Sequence, residues 1–136
     1  MKVGVFTALL ANLSLDQVIE KLKKLGVNTV ELGTGNYPGG PHCKLDMLGN
    51  RAALREFKQK LDDNGIAISA LSCHGEPLHP DPAAARASQE VSRKTILLAE
   101  KLGVPVVVDF SGCPGDNEKA KFPNWVTCAW PPHFQQ

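Results

Sequence analysis

Three stretches built to one design decide the fold: KKLGVNTVELGTG at 23–35, DDNGIAISALSCHG at 62–75 and EKLGVPVVVDFSGCPG at 100–115. Each ends an amphipathic helix, turns at a glycine, runs into a short apolar strand and leaves through small or polar residues. The turning glycines Gly26, Gly65 and Gly103 stand 39 and 38 residues apart (65 − 26 and 103 − 65). An apolar strand at 2–10 precedes the first helix. Strand and helix alternating with a period near forty predict repeated βα units around a parallel sheet. Such sheets bind ligands at the carboxyl ends of their strands, which is where functional side chains are sought.

Outward from these repeats, each helix carries start and stop signals. Ser14 with Gln17 three residues later forms a capping-box pattern, and Leu15, Val18, Ile19, Leu22 and Leu25 make one apolar stripe ending at Gly26. A second helix is predicted over 50–64, with Leu54, Phe57 and Leu61 inward. Asp81-Pro82 caps a long third helix that reaches about residue 102 and packs Val91, Ile96, Leu97 and Leu98. The strands are predicted at 27–32, 66–73 and 104–110, the last so apolar and β-branched that it reads as central and buried. The loop GTGNYPGGPH, rich in glycine and proline, reads as flexible. After Gly112 no helical or strand period remains: CPGDNEKAKFPNWVTCAWPPHFQQ is a proline- and tryptophan-rich irregular segment.

Bulk numbers narrow the function. The chain has 136 residues, 43% of them hydrophobic and 21% charged, as in an ordinary globular domain. A formal charge of +1 gives no basic face for nucleic acid, and no apolar run approaches a membrane span. The apolar stretch after Lys2 has one basic residue and no cleavage pattern, so a buried strand explains it better than a signal peptide. Cys43, Cys73, Cys113 and Cys128 form no CxxC pair, and free thiols in a reducing cytoplasm are the expected state.

The turn after the first strand, TALLANLS, lacks the GxGxxG of a dinucleotide fold. A complete (β/α)8 barrel needs eight strands and about 250 residues. Four strands in 136 residues predict an α/β half-barrel with parallel strands: one truncated domain, with βα repeats over 1–112 and an irregular tail over 113–136. Four strands alone would leave two edges unpaired, which predicts self-association through them.

SALSCHGEPLHPDP at 69–82, VVVDFSGCPGD at 106–116 and PNWVTCAWPP at 123–132 resemble the N-terminal half of sugar phosphate isomerase/epimerase proteins with the xylose-isomerase-like barrel. The resemblance implies a (β/α)8 barrel about twice this length. It also implies a divalent metal (manganese, magnesium or zinc), a sugar or sugar phosphate as substrate, and proton transfer next to a carbonyl. In those isomerases Glu, Asp, His and Glu from the last four strands hold the metal, and no position here matches them, so no metal ligand is assigned. A related endonuclease branch uses a histidine after the third strand on zinc. His74 matches it, while Ser111 and Gly112 stand where that branch's next histidine would be. Where the resemblance leads one to expect Asn, this chain has Glu76.

The candidate catalytic residues are therefore His74 and Glu31, at the ends of the third and second strands. Imidazole passes a proton or ligates metal, and a carboxylate buried in an apolar run suits acid–base work. Each has a plain alternative: a histidine bonded to a neighbouring loop, and a carboxylate tying strand ends together. Asp109 and Ser111 flank the end of the fourth strand, where a polyol hydroxyl would bind, although Asp109 also suits a turn cap. Trp125 and Trp130 would stack on a sugar ring or simply cover the barrel mouth. His74, Glu76 and His79 lie close in sequence, but the intervening glycine and proline place them on no common helical face. The expectation is an isomerase- or epimerase-type protein inactive as this chain alone. The alternatives are a non-catalytic half-barrel scaffold and, opposed by the charge, a zinc nuclease relative.

Overall fold

The computed structural model describes residues 3–124. Trp125, Trp130 and Cys128 lie outside that range. Four parallel strands form one sheet in the order β1-β2-β3-β4, with β1 at Val5–Phe6, β2 at Thr29–Gly33, β3 at Ala67–Ser72 and β4 at Val107–Val108. Three helices connect them: α1 at Leu15–Leu25, α2 at Arg51–Asp63 and α3 at Pro82–Leu102. This is an α/β fold with parallel strands neighbouring one another in chain order, as successive βα units give.

The caps form where the sequence placed them. Gln17 N–H donates to Ser14 Oγ and Ser14 N–H to Gln17 Oε1, a reciprocal pair at the start of α1. Asn50 and Asp81 accept from the first turns of α2 and α3, each such cap contributing about 1 kcal/mol. Gly26 and Gly103 close α1 and α3 in the left-handed region, at φ 66° and 72°. The core lies between the helices and one face of the sheet. Val18, Ile19 and Leu22 of α1, Phe57 and Leu61 of α2, and Leu98 and Leu102 of α3 meet Val30, Leu32 and Leu71.

Four expectations are corrected. Of the described part, 3–10, of the apolar run at 2–10, only Val5–Phe6 is strand; Thr7–Leu10 coil into a 3-10 turn, because the chain must bend off the sheet toward α1. The fourth strand is two residues long and, among the described residues, has β3 as its one strand neighbour, with Val106 47% and Phe110 43% exposed. Its apolarity marks it as a strand but not its depth. Ile96 and Leu97 are exposed on α3, and Leu25 is exposed on α1. The loop read as flexible is tied down: Thr34 N–H donates to the Ser72 carbonyl (2.9 Å), Tyr37 N–H to the His74 carbonyl (2.9 Å) and Asn36 Nδ2 to the Cys73 carbonyl (2.6 Å). Among the described residues no helix is long and apolar enough to cross a membrane.

Candidate functional site

A single extra residue in β3 sets the side-chain geometry at the strand ends. Val30 pairs with Ile68 but Glu31 with Ala70, so Ser69 is a bulge, and its hydroxyl donates to the Val30 carbonyl at 2.9 Å. Strand side chains alternate between faces, and one extra residue reverses that phase. Before the bulge Ile68 packs on the helix-side core; after it Leu71 does, three residues later. Ser72 is thereby turned onto the opposite, concave face, where Glu31 already points. Ser72 Oγ donates to Glu31 Oε1, and Ser72 itself is fully buried while Glu31 is half-buried rather than buried. The Thr34 hydroxyl donates to the Ser72 carbonyl (3.1 Å) and meets the Thr95 hydroxyl at 2.7 Å, anchoring the strand end to α3.

His74 follows on the same face and is flanked by aromatic rings. Phe110 lies 4.6 Å away between centroids, tilted by 31°, and Phe6 presents an edge at 6.1 Å. Tyr37 approaches Phe110 at 6.5 Å. The strand ends thus bring together Phe6, Glu31, Ser72, His74 and Phe110: one carboxylate, one hydroxyl, one imidazole and an apolar wall.

The other candidates lie elsewhere. Asp109 turns toward α3, accepting from Ser92 Oγ (2.5 Å), and it also accepts from Phe110 N–H (2.8 Å). Ser111 is exposed. Glu76, 4% exposed, accepts the Cys113 N–H at 3.1 Å and its own N–H donates to Ser88 Oγ at 3.0 Å, tying the β3 exit to α3 and to the segment after β4. His79 Nδ1 accepts the Asp81 N–H (2.9 Å) just before α3. His42 Nε2 meets the Leu13 carbonyl at 2.9 Å. Sequence reading missed Ser72, Asn36 and the Phe6–Phe110 wall. Only the small polar residue two before His74 could have signalled Ser72, because the bulge leaves no mark in periodicity.

A groove of about 550 Å³ between α1 and α2, crossed by the Lys60–Asp16 ion pair at 2.7 Å, includes neither Glu31 nor His74. It is a feature of the helical outside, and its exposed ion pair contributes little.

Among the described residues no group of three or more His, Cys, Asp or Glu side chains could hold a metal ion. With Glu76 bonded to the Cys113 amide and Asp109 to Ser92, the concave face offers, among the described residues, Glu31 and His74 as donors. The residues here do not compose the divalent-metal centre that the resemblance implies.

The described cysteines are free, and burial makes Cys43 and Cys73 poor nucleophiles. Burial pushes the Cys43 thiol up to about 12 from 9.0. Burial, and then the nearby Asp109 charge, raise Cys73, partly offset by hydrogen bonds from Thr95 and Ser92. At pH 8.5 Cys43 should carry about a thousandfold less thiolate than an ordinary thiol. Iodoacetamide labelling of the native chain, mapped by mass spectrometry, should therefore leave Cys43 unmodified and modify the less buried Cys113 first. Equal labelling of both would contradict the packing.

Comparison with known proteins agrees with the fold. Over 135 residues the chain is 35% identical to "Uncharacterized protein YfiH" of Bacillus subtilis (strain 168), covering 97% of this chain and 43% of that protein. A solved structure, protein SMc04130 from Sinorhizobium meliloti 1021, superposes with a TM-score of 0.56 over 86% of this chain and 39% of its own; at 18% identity it speaks to fold alone. The chain thus spans less than half the length of either. The model of the xylose isomerase-like TIM barrel matches residues 19–131. With four parallel strands in chain order and that match over most of its length, the chain belongs to the xylose isomerase-like TIM-barrel family.

Proposed function

We propose that the concave face bounded by Glu31, Ser72, His74 and Phe110 binds a small polyhydroxylated substrate, a sugar or sugar phosphate. In this reading it forms the β1–β4 side of an isomerase- or epimerase-type site. The observation that carries the reading is the β3 bulge, which turns Ser72 to Glu31 on the face that also bears His74. A bulge beside a site re-aims side chains, and here it gathers polar groups onto an otherwise apolar sheet face. Held by the Ser72 hydroxyl, the Glu31 carboxylate has lone pairs left for a substrate hydroxyl. His74, held between Phe6 and Phe110, can donate or accept at a carbonyl or its neighbouring carbon.

Binding and turnover separate in this reading. Proton transfer next to a carbonyl develops an oxyanion, and its stabilisation requires preorganised positive charge or several donors. One imidazole and one hydroxyl already engaged by Glu31 do not supply that. The chain as a monomer should therefore perturb the NMR signals of His74 and Ser72 when titrated with a ketose and aldose panel, and Glu31→Gln should weaken the perturbation at least tenfold. The same samples with Mn²⁺ should show no isomerisation. Perturbation confined to the α1–α2 groove would sink the binding proposal, and turnover by the monomer would sink the proposed inactivity.

A further inference from the structure

We propose that Thr95 on α3 is a positioning residue for the Glu31 carboxylate, acting through Thr34 and Ser72. Its consequence for binding rests on the substrate-site reading; the positioning itself does not. The proton order in this chain of contacts follows from counting. Thr34 has one hydroxyl proton, and the Ser72 carbonyl at 3.1 Å can only accept it. The 2.7 Å contact between the Thr34 and Thr95 hydroxyls must then take its proton from Thr95. The Cys73 thiol is also within hydrogen-bonding reach of Thr95, but sulfur is a weak acceptor and competes poorly for that proton. The Thr34 N–H donates to the same Ser72 carbonyl at 2.9 Å, so two donors from one residue hold it. From Thr95 to Thr34 to Ser72 each bond polarises the next. Ser72, clamped in this way, gives its own hydroxyl proton to Glu31 Oε1.

Packing alone does not account for the threonine pair. Thr34, Ser72 and Thr95 are all buried. Two valines at 34 and 95 would fill the same space with no hydroxyl to desolvate. The place of Thr95 on its helix gives the hydroxyl another use. Ser88, Ser92 and Thr95 stand at i, i+4 and i+7, on one face of α3. Each meets a different strand end. Ser88 Oγ accepts the Glu76 N–H beyond β3, Ser92 Oγ donates to Asp109 beyond β4, and Thr95 reaches Thr34 beyond β2. Past Thr95 the same face turns apolar, with Leu98 and Leu102 in the core. One helix thus sets three strand ends relative to one another, and the Thr95 link is the one that runs on through Ser72 to Glu31.

The test is NMR of the full 136-residue chain, reading the Glu31 Cδ and Ser72 Cβ signals. Thr95→Val removes the hydroxyl and keeps the shape; it should shift both signals, and Thr95→Ser should return them to the parent positions. Leu102→Ala, which destabilises the far end of the same helix, should leave both in place. Thr34→Val should shift them too, and adding Thr95→Val to it should shift them no further, because one link carries both effects. If Thr95→Val does not fold, Thr34→Val against Thr34→Ser decides the same question at the next link. In the sugar titration Thr95→Val should bind about three- to tenfold more weakly, as for one lost hydrogen bond, and Thr95→Ser within about twofold of the parent. Unmoved Glu31 and Ser72 signals in Thr95→Val would overturn the proposal. So would a displacement that Thr95→Ser fails to reverse or that Leu102→Ala reproduces, additive shifts in the double variant, or unchanged sugar affinity in Thr95→Val. A parent chain that binds no sugar would sink the substrate-site reading, while the Glu31 and Ser72 signals still decide the positioning.

Discussion

Leu98→Ala is expected to lower folding stability by about 3–4 kcal/mol, measured as a reduced urea midpoint at unchanged slope. Leu98 is fully buried, on the α3 face that meets the sheet. Truncation removes its transfer free energy and leaves a cavity between a helix and a sheet that cannot both close on it. A domain of this size has about 5–15 kcal/mol in total, so a substantial fraction is lost. The neighbouring change Leu97→Ala provides the contrast. Leu97 is 50% exposed, and its loss should cost under about 1 kcal/mol. Both variants are compared at one protein concentration, because association would shift the midpoint by mass action. Equal losses would mean that α3 is rotated from the position described.

That contrast shows where reading the sequence stops. Ile96, Leu97 and Leu98 are three consecutive apolar residues, and a helix turns by 100° per residue, so they cannot all face one sheet. Local signals resolved well: the Ser14–Gln17 capping box, the left-handed Gly26 and Gly103, and the Asp81-Pro82 start are short-range chemistry and form as expected. Helix identity and strand order follow from period and connection length. Long-range pairing was not legible. The polar core residue Thr95, next to apolar Ile96, is buried because Thr34 reaches it across 61 positions of sequence. The Ser69 bulge depends on how β3 registers against β2, which no window of β3 records. Apolar content misjudged β4 because it reports what a strand can bury, whereas exposure depends on what lies beside it. At the site, His74 and Glu31 were visible as polar residues in apolar runs. Their neighbours Ser72 and Phe6 looked like ordinary strand residues until the register was known.

Gly75→Ala should cost about 2–4 kcal/mol and also displace His74. Gly75 is buried directly after His74, and a Cβ there would fall on the Asn36 amide nitrogen, within 2.8 Å of Asn36 Cγ and 3.0 Å of Ser88 Oγ. Neither neighbour is free to yield. Asn36, itself left-handed at φ 52°, donates to the Cys73 carbonyl at 2.6 Å, and Ser88 Oγ accepts the Glu76 N–H at 3.0 Å. Moving Asn36 also pulls on Tyr37, whose N–H donates to the His74 carbonyl. The substitution thus strains both sides of the residue that carries the imidazole. Ring currents from Phe6 and Phe110 act on the His74 ring protons, so their NMR shifts report displacement directly. Gly49→Ala is the control: nothing lies within 4 Å of its Cβ, and its backbone is not left-handed. Reduced unfolded-state entropy should leave that variant neutral or up to about 1 kcal/mol more stable. The same entropy term applies at Gly75, which is likewise not left-handed. Loss of stability there must therefore come from crowding against Asn36 and Ser88, and a Gly75→Ala chain as stable as Gly49→Ala with unshifted His74 signals would show that the loop yields.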